Sequence, residues 1–145
     1  MACIEVRITS LITIEFVDAA AVPVVCTTPY YGLHDLARFQ AGESILIYWG
    51  AGGIGQAAIQ LAKAGGAEVF VTVGSIEKRN FVHDHYSVPL DPVLSSRDLN
   101  FVHGINRLAK GYGVDTILSF TSGQTLRASW EIIASYGRFI EIGRA

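Results

Sequence analysis

A single turn constrains the fold of this chain more than any other feature. Residues Gly50–Gly55 read GAGGIG, a GxGxxG pattern, and they directly follow the apolar run 44–49. Apolar residues then recur at helical spacing, so the order is strand, glycine turn, helix. In such a turn Gly50 makes the tight bend, Gly52 lets the backbone approach a pyrophosphate, and Gly55 lets the helix pack on the strand. The order predicts a βαβ unit that binds a nicotinamide dinucleotide; the alternative is a glycine turn that binds nothing.

The rest of the chain alternates segments rich in β-branched residues with segments of helical period. This alternation is typical of a parallel sheet covered by helices on both faces, because such strands are apolar throughout. The predicted fold class is α/β, a Rossmann-type doubly wound parallel sheet of about five strands. Trp130, Ile133 and Phe139 are expected in its core. The predicted strands are residues 45–49, 68–73, 92–95, 114–118 and 137–142, and the predicted helices are residues 18–39, 53–64, 76–86, 98–110 and 123–134.

Composition and charge narrow the class of protein. The 145 residues are 50% hydrophobic and 17% charged, which suits one globular domain with a continuous core. The formal net charge of −2 and the lack of basic runs make nucleic acid and a membrane surface poor partners. Cys3 and Cys26 have no CxxC spacing, which indicates neither a zinc site nor a disulfide framework. We therefore expect a cytoplasmic protein that holds no metal.

The second predicted strand ends at Val73, where the choice between NAD(H) and NADP(H) is usually made. A site for NAD(H) usually has Asp or Glu there to bond the ribose 2′-hydroxyl, whereas this chain has Gly74-Ser75. Lys78 and Arg79 follow, and a cation together with a hydroxyl could hold the 2′-phosphate of NADP(H). In the alternative, Ser75 only caps the next helix and both cations face water. Because capping and phosphate binding are compatible, the sequence favours NADP(H).

Five stretches carry a resemblance to a known family. They are 19–33 (AAAVPVVCTTPYYGL), 43–82 (ESILIYWGAGGIGQAAIQLAKAGGAEVFVTVGSIEKRNFV), 95–101 (SSRDLNF), 113–115 (GVD) and 134–143 (ASYGRFIEIG). Together they resemble the cofactor-binding half of medium-chain dehydrogenases and reductases. More narrowly, they are similar to the enoyl reductase domain of fungal highly reducing polyketide synthases and of animal fatty acid synthase. On this resemblance residues 18–145 form an NADP(H)-binding domain, and residues 1–17 are a leader or an edge segment.

The resemblance also implies an activity and a set of site residues. Such reductases move a hydride from NADPH to the β-carbon of an α,β-unsaturated thioester carried on an acyl carrier protein, and they need no metal. The residues that the resemblance assigns to the cofactor are Gly52, Gly53, Ile54 and Gly55 for the pyrophosphate, Ser75 and Lys78 for the 2′-phosphate, with Arg97 a weaker candidate, and Thr28 beside the nicotinamide.

Two positions depart from the family pattern. Ser119-Phe120-Thr121 stands where such reductases usually read Asn-Ser-Leu, and the bulky Phe120 could narrow the nicotinamide pocket. Arg144 occupies the position of the proposed proton-donor Lys. A guanidinium, whose pKa is too high for it to release its proton near neutral pH, is a poor general acid, although it could polarise the thioester oxygen. The catalytic residues are therefore unknown.

The chain stops at Ala145, before the family's sixth strand and without the substrate-binding domain. We therefore expect a sheet truncated before the sixth strand and an isolated chain that is inactive. The unpaired sheet edge could join two copies in a homodimer. Two other functions stay open: a non-catalytic dinucleotide-binding or structural fragment, and a zinc-independent protein similar to quinone oxidoreductases. The SSRD segment and the EKR triplet favour the synthase over the quinone oxidoreductase.

Overall fold

The computed structural model describes residues 25–142. Residues 25–30 are α-helical and continue as a π-helical turn, Tyr31–Leu36; these two parts are called the leading helix. The strands are β1 (Ser44–Ile47), β2 (Glu68–Val73), β3 (Val93–Ser95), β4 (Val114–Ser119) and β5 (Ile133–Glu141). The helices that follow the glycine turn are α1 (Gly53–Ala64), α2 (Ile76–Tyr86), α3 (Asn100–Leu108) and α4 (Gln124–Ser129).

The five strands form one parallel sheet in the order β3-β2-β1-β4-β5. The register places Leu46 of β1 between Phe70 of β2 and Ile117 of β4. The chain moves outwards from β1 through β2 to β3, and then returns to build β4 and β5 on the other side. This is the strand order of a Rossmann fold, which confirms the predicted fold class. The order reverses between β1 and β4, where open sheets of this kind bind their ligands.

Helices cover both faces of the sheet. On one face the leading helix, α1 and α2 pack on alternate strand residues such as Ile47 and Val71. On the other face α3 and α4 pack on Leu46, Tyr48 and their neighbours. Strands buried on both faces follow from apolar runs without polar alternation. Within residues 25–142, no helix combines the length and the apolar character needed to cross a membrane.

Helix α4 is shorter than the sequence predicted. The predicted helix covers residues 123–134, whereas α4 ends at Ser129 with Trp130 as its C-cap. Trp130 is 59% exposed, so the prediction that it belongs to the core is wrong. Its indole instead stacks on Phe139 of β5, with the ring centres 4.7 Å apart. Each ring shields one face of the other from water, so part of their apolar surface is removed from solvent although Trp130 is not buried.

Strand β5 begins at Ile133, four residues before its predicted start at 137. The prediction missed this first part because the strand is irregular there. Val114 of β4 pairs with Ile133, whereas Thr116 pairs with Arg138, so β5 carries extra residues between these two pairs. Tyr136 lies in this irregular part, fully exposed and with a φ of 63°. Such bulges interrupt the alternation of side chains that predicts a strand.

Candidate functional site

Three adjoining recesses form a groove along the carboxyl ends of the strands. The largest, called the β4–β5 recess, has a volume of about 580 Å³. The β1–β2 recess, about 300 Å³, shares Trp49 and Gly52 with it. The β2–β3 recess, about 410 Å³, shares Val73 and Gly74 with the β1–β2 recess. The groove therefore crosses the point where the strand order reverses, with the glycine turn at its centre.

Two glycines of the turn are required by packing. A Cβ on Gly50 would lie 2.1 Å from Cγ1 of Val71, and a Cβ on Gly55 would lie 2.4 Å from the carbonyl oxygen of Trp49. The Cβ on Gly55 would also lie 2.7 Å from the Cα of Gly50. Gly50 is buried beneath the turn and lines none of the three recesses, whereas Gly55 lines the β4–β5 recess. These glycines bring α1 close to β1.

The other two glycines face the groove. Gly52 and Gly53 are exposed, and a Cβ on Gly53 would meet only Val25, at an ordinary contact distance of 3.6 Å. Folding does not require glycine at position 53. The bare backbone there leaves room for a molecule in the groove, as the pyrophosphate prediction requires.

The turn also leaves backbone donors at the start of α1. The N–H of Gln56 donates to the carbonyl of Gly52 (2.8 Å), which is the first bond of the helix. The N–H groups of Gly53, Ile54 and Gly55 precede that bond, and Gly52 supplies no side-chain cap. Ile54 is half-buried and lines the β4–β5 recess. Helix N-termini with these donors attract anions.

A lysine and a serine line the β1–β2 recess, and a second serine lies next to the lysine in the chain fold. Lys78 is exposed and lines the recess together with Ser96. Ser75 is the N-cap of α2, and its Oγ accepts a hydrogen bond from the backbone N–H of Lys78 (3.3 Å). Gly74 follows β2 directly, so no carboxylate stands at the end of that strand. The recess can accept a negative charge.

The two arginines near this end of the groove differ in their surroundings. Arg97 is exposed and lines the β2–β3 recess, as does the capping residue Ser75. Arg79 lines the same recess, and its guanidinium donates from Nη2 to the carbonyl of Leu90 (2.8 Å). Arg79 therefore holds the loop before β3 while it borders the recess, and the assignment of Lys78 or Arg79 to a 2′-phosphate stays a prediction.

The β4–β5 recess is lined by apolar and hydroxyl side chains. Phe120 lines this recess. That it narrows a nicotinamide pocket there stays a prediction. Thr121 is buried, and its Oγ1 is 3.1 Å from Oγ of Ser119. Glu141 is exposed at the end of β5, with Ile142 beside it. The recess can therefore hold a flat, partly apolar group with polar atoms at its edge.

The leading helix packs on β5 next to this recess. A Cβ on Gly32 would lie 3.2 Å from Cγ2 of Ile140, which shows how closely the helix packs on β5. Thr28 is half-buried in this helix and does not line the β4–β5 recess. His34 stacks on Tyr30, and desolvation by burial lowers the pKa of His34. These two rings support the helix.

Trp49, Ser96 and Glu141 are among the residues bordering the groove that sequence reasoning missed. Trp49 lines both the β4–β5 and β1–β2 recesses, Ser96 lines the β1–β2 recess, and Glu141 lines the β4–β5 recess. A residue directly before a glycine turn is a signal that could have identified Trp49. Arg144 and the segment 1–17 lie outside the described residues.

The fold and the groove define a dinucleotide-binding domain of the type found in medium-chain dehydrogenases and reductases. Residues 53–145 match the family described as zinc-binding dehydrogenase. The chain belongs to this family, and within it to the cofactor-binding half of the enoyl reductase domains of polyketide synthases.

Individual relatives agree with this assignment. Highly reducing polyketide synthase 40 of Fusarium mangiferae is 77% identical over 132 residues, which are 91% of this chain and 5% of that protein. The CurK enoyl reductase structure has a TM-score of 0.85 and 38% identity over 90% of this chain and 38% of its own. The nucleotide-binding subdomain of the enoylreductase domain of PpsC from Mycobacterium tuberculosis has a TM-score of 0.76 and 35% identity, covering 83% of this chain and 66% of its own. The chain spans about 5% of the curated relatives' length.

The family description refers to zinc. Between residues 25 and 142, no three or more His, Cys, Asp or Glu side chains are grouped so as to hold a metal ion. The described part of the chain therefore does not fit a zinc site. That the whole chain holds no metal stays a prediction.

Proposed function

We propose that this chain is the NADP(H)-binding part of an enoyl reductase in a polyketide synthase. The observation that carries the proposal is the continuous groove, which has an anion-attracting helix start at its centre and Lys78 in the recess beyond β2. A dinucleotide has the same layout, with a pyrophosphate between two nucleoside halves. Gly74 and Ser75, rather than a carboxylate, directly follow Val73, which supports NADP(H) over NAD(H), although Glu77 also lines the β2–β3 recess.

In the proposed arrangement the pyrophosphate lies on the glycine turn. The nicotinamide occupies the β4–β5 recess, and the adenosine half lies beyond Lys78. The N–H groups at the start of α1 bind the pyrophosphate, while Ser75, Lys78 and Arg97 are the candidates for the 2′-phosphate. Thr28 stays a weaker candidate for the nicotinamide side, because it does not line that recess.

The proposed reaction reduces an α,β-unsaturated acyl thioester carried on an acyl carrier protein. Bound NADPH supplies the hydride, which adds to the β-carbon, and the α-carbon takes up a proton. Phe120 and Ile142 give the β4–β5 recess apolar walls, and the buried hydroxyl of Thr121 gives it a polar group. Arg144 can polarise the thioester oxygen but is a poor proton donor.

Removing the charge of Lys78 tests the choice of cofactor. We expect Lys78→Gln to weaken NADPH binding by about tenfold and to leave NADH binding unchanged, because only NADPH carries the 2′-phosphate. Isothermal titration calorimetry with both cofactors measures this. Lys110→Gln is the matched control, since Lys110 is exposed at the opposite ends of the strands. Equal weakening of NADPH and NADH by Lys78→Gln would refute the 2′-phosphate contact.

Activity is tested separately from binding. NADPH oxidation in the presence of a crotonyl thioester would support an enoyl reductase that works as this chain alone. Binding of NADPH without its oxidation would support the alternative function, a non-catalytic dinucleotide-binding module.

A further inference from the structure

Trp49 has an unusual backbone conformation for a bulky residue. Its φ is 51°, in the left-handed region that costs free energy for residues other than glycine. Its side chain is 52% exposed, although indole is one of the most apolar groups in the chain. Residues held in such conformations cluster at ligand-binding sites, where the surrounding structure maintains them. Tyr136 combines the same two features in the irregular part of β5, but Trp49 differs from it because Trp49 lines the groove.

Several hydrogen bonds hold this backbone in place. The N–H of Trp49 donates to Oγ1 of Thr72 (3.3 Å), and the carbonyl of Trp49 accepts from the N–H of Gly52 (2.9 Å). The preceding residue, Tyr48, is fully buried, and its hydroxyl pairs with Oγ of Ser129 at 2.5 Å. Tyr48 is thus fixed in the core, and the next side chain turns out into the groove.

Its position in the groove is equally specific. Trp49 and Gly52 are the two residues that line both the β4–β5 and the β1–β2 recess. Phe120 lines the first recess only. Among residues 25–142 no aromatic ring stacks on Trp49, whereas the other exposed tryptophan, Trp130, stacks on Phe139. Trp49 is therefore a half-exposed aromatic residue at the boundary between the two recesses.

We propose that Trp49 is a binding residue for the dinucleotide, and that its indole packs against the ribose that adjoins the pyrophosphate. This inference rests on the proposed function. Covering the indole by the ligand removes apolar surface from water and screens the phosphate contacts at the start of α1. NADPH and NADH share this central part, so Trp49 contributes to the binding of both, in contrast to Lys78.

The test compares two replacements by calorimetric titration with NADPH and with NADH. Trp49→Asn removes the ring and keeps the backbone, because Asn tolerates a positive φ better than most residues. We expect it to weaken both cofactors by about tenfold, whereas Trp49→Phe, which keeps a ring, changes binding by less than about threefold. Trp130→Phe is the control and leaves binding unchanged. Thermal denaturation checks that each variant is folded.

The outcomes separate this inference from the proposed function. If the unmodified chain binds neither cofactor, the proposed function fails and the inference fails with it. If the unmodified chain binds NADPH but Trp49→Asn binds it equally well or more tightly, the proposed function stands and the contact by Trp49 is refuted. A weakening confined to NADPH would also refute it, because that result would place the indole at the 2′-phosphate.

Discussion

Gly55→Ala is expected to lower the free energy of unfolding by about 3 kcal/mol, at the upper end of the usual cost of overpacking. The new Cβ would lie 2.4 Å from the carbonyl oxygen of Trp49 and 2.7 Å from the Cα of Gly50. Both atoms belong to the backbone, so no side-chain rotation can relieve the contact, and α1 must move away from β1. A loss of this size lowers the Tm by about 10 °C, which thermal denaturation followed by circular dichroism measures.

Gly53→Ala is the matched control, because it adds the same methyl group to the same helix. A Cβ there meets only Val25, at 3.6 Å. Alanine favours helix over glycine by about 0.5–1 kcal/mol, so the Tm should stay unchanged or rise slightly. Equal Tm values for the two variants would contradict the view that Gly55 sets the distance between α1 and β1.

Gly53→Glu is expected to weaken cofactor binding strongly and to preserve the fold. Position 53 is the first residue of α1 and is exposed to the groove. A carboxylate in the first turn favours the helix, because it complements the positive end of the helix dipole. The same charge competes with the pyrophosphate for the free N–H groups and repels it. We expect NADPH affinity to fall by about 100-fold in calorimetric titration, with an unchanged Tm.

Gly53→Gln separates charge from size in this experiment. Its side chain has the shape of Glu without the negative charge, so NADPH affinity should fall by less than about tenfold. If Glu and Gln weaken binding equally, steric exclusion rather than electrostatics governs this position. If neither variant weakens binding, the pyrophosphate does not lie on the turn.

Much of the fold could be predicted because the central strands and the helices beside them have consistent local patterns. The predicted bounds of α1 (53–64), β2 (68–73) and α2 (76–86) agree with the structure. In β2 every residue after Glu68 is buried, which matches its continuous apolar sequence. Gly65 ends α1 and Ser75 begins α2, so both helix ends have chemical signals in the sequence.

The edge of the sheet could not be predicted as well. Trp130 and Ile133 have a spacing that suits a helix, yet a short connection separates α4 from β5. The irregularity around Tyr136 depends on pairing with β4, which no local pattern encodes. Tertiary contacts, such as the stacking of Trp130 on Phe139, determine the structure there.

The candidate site was predictable where it depends on motif order and unpredictable where it depends on backbone angles. The turn residues were identified because they join β1 to α1, and Lys78 because it lies in the first turn of the helix that follows β2. The outward direction of Trp49 depends on a positive φ and on bonds to Thr72 and Gly52, which only the folded chain reveals. Glu141 reaches the groove because β5 lies beside β4, and that neighbour relation is not local either.

Binding of NADP(H) in the groove at the glycine turn can be measured by titrating the unmodified chain with NADPH and, in parallel, with NADH, followed by the fluorescence of the cofactor. We expect saturable binding of both cofactors, with NADPH tighter by about tenfold or more, because Lys78 has a partner only in the 2′-phosphate. No binding of either cofactor at about 1 mM would refute a dinucleotide site in this groove.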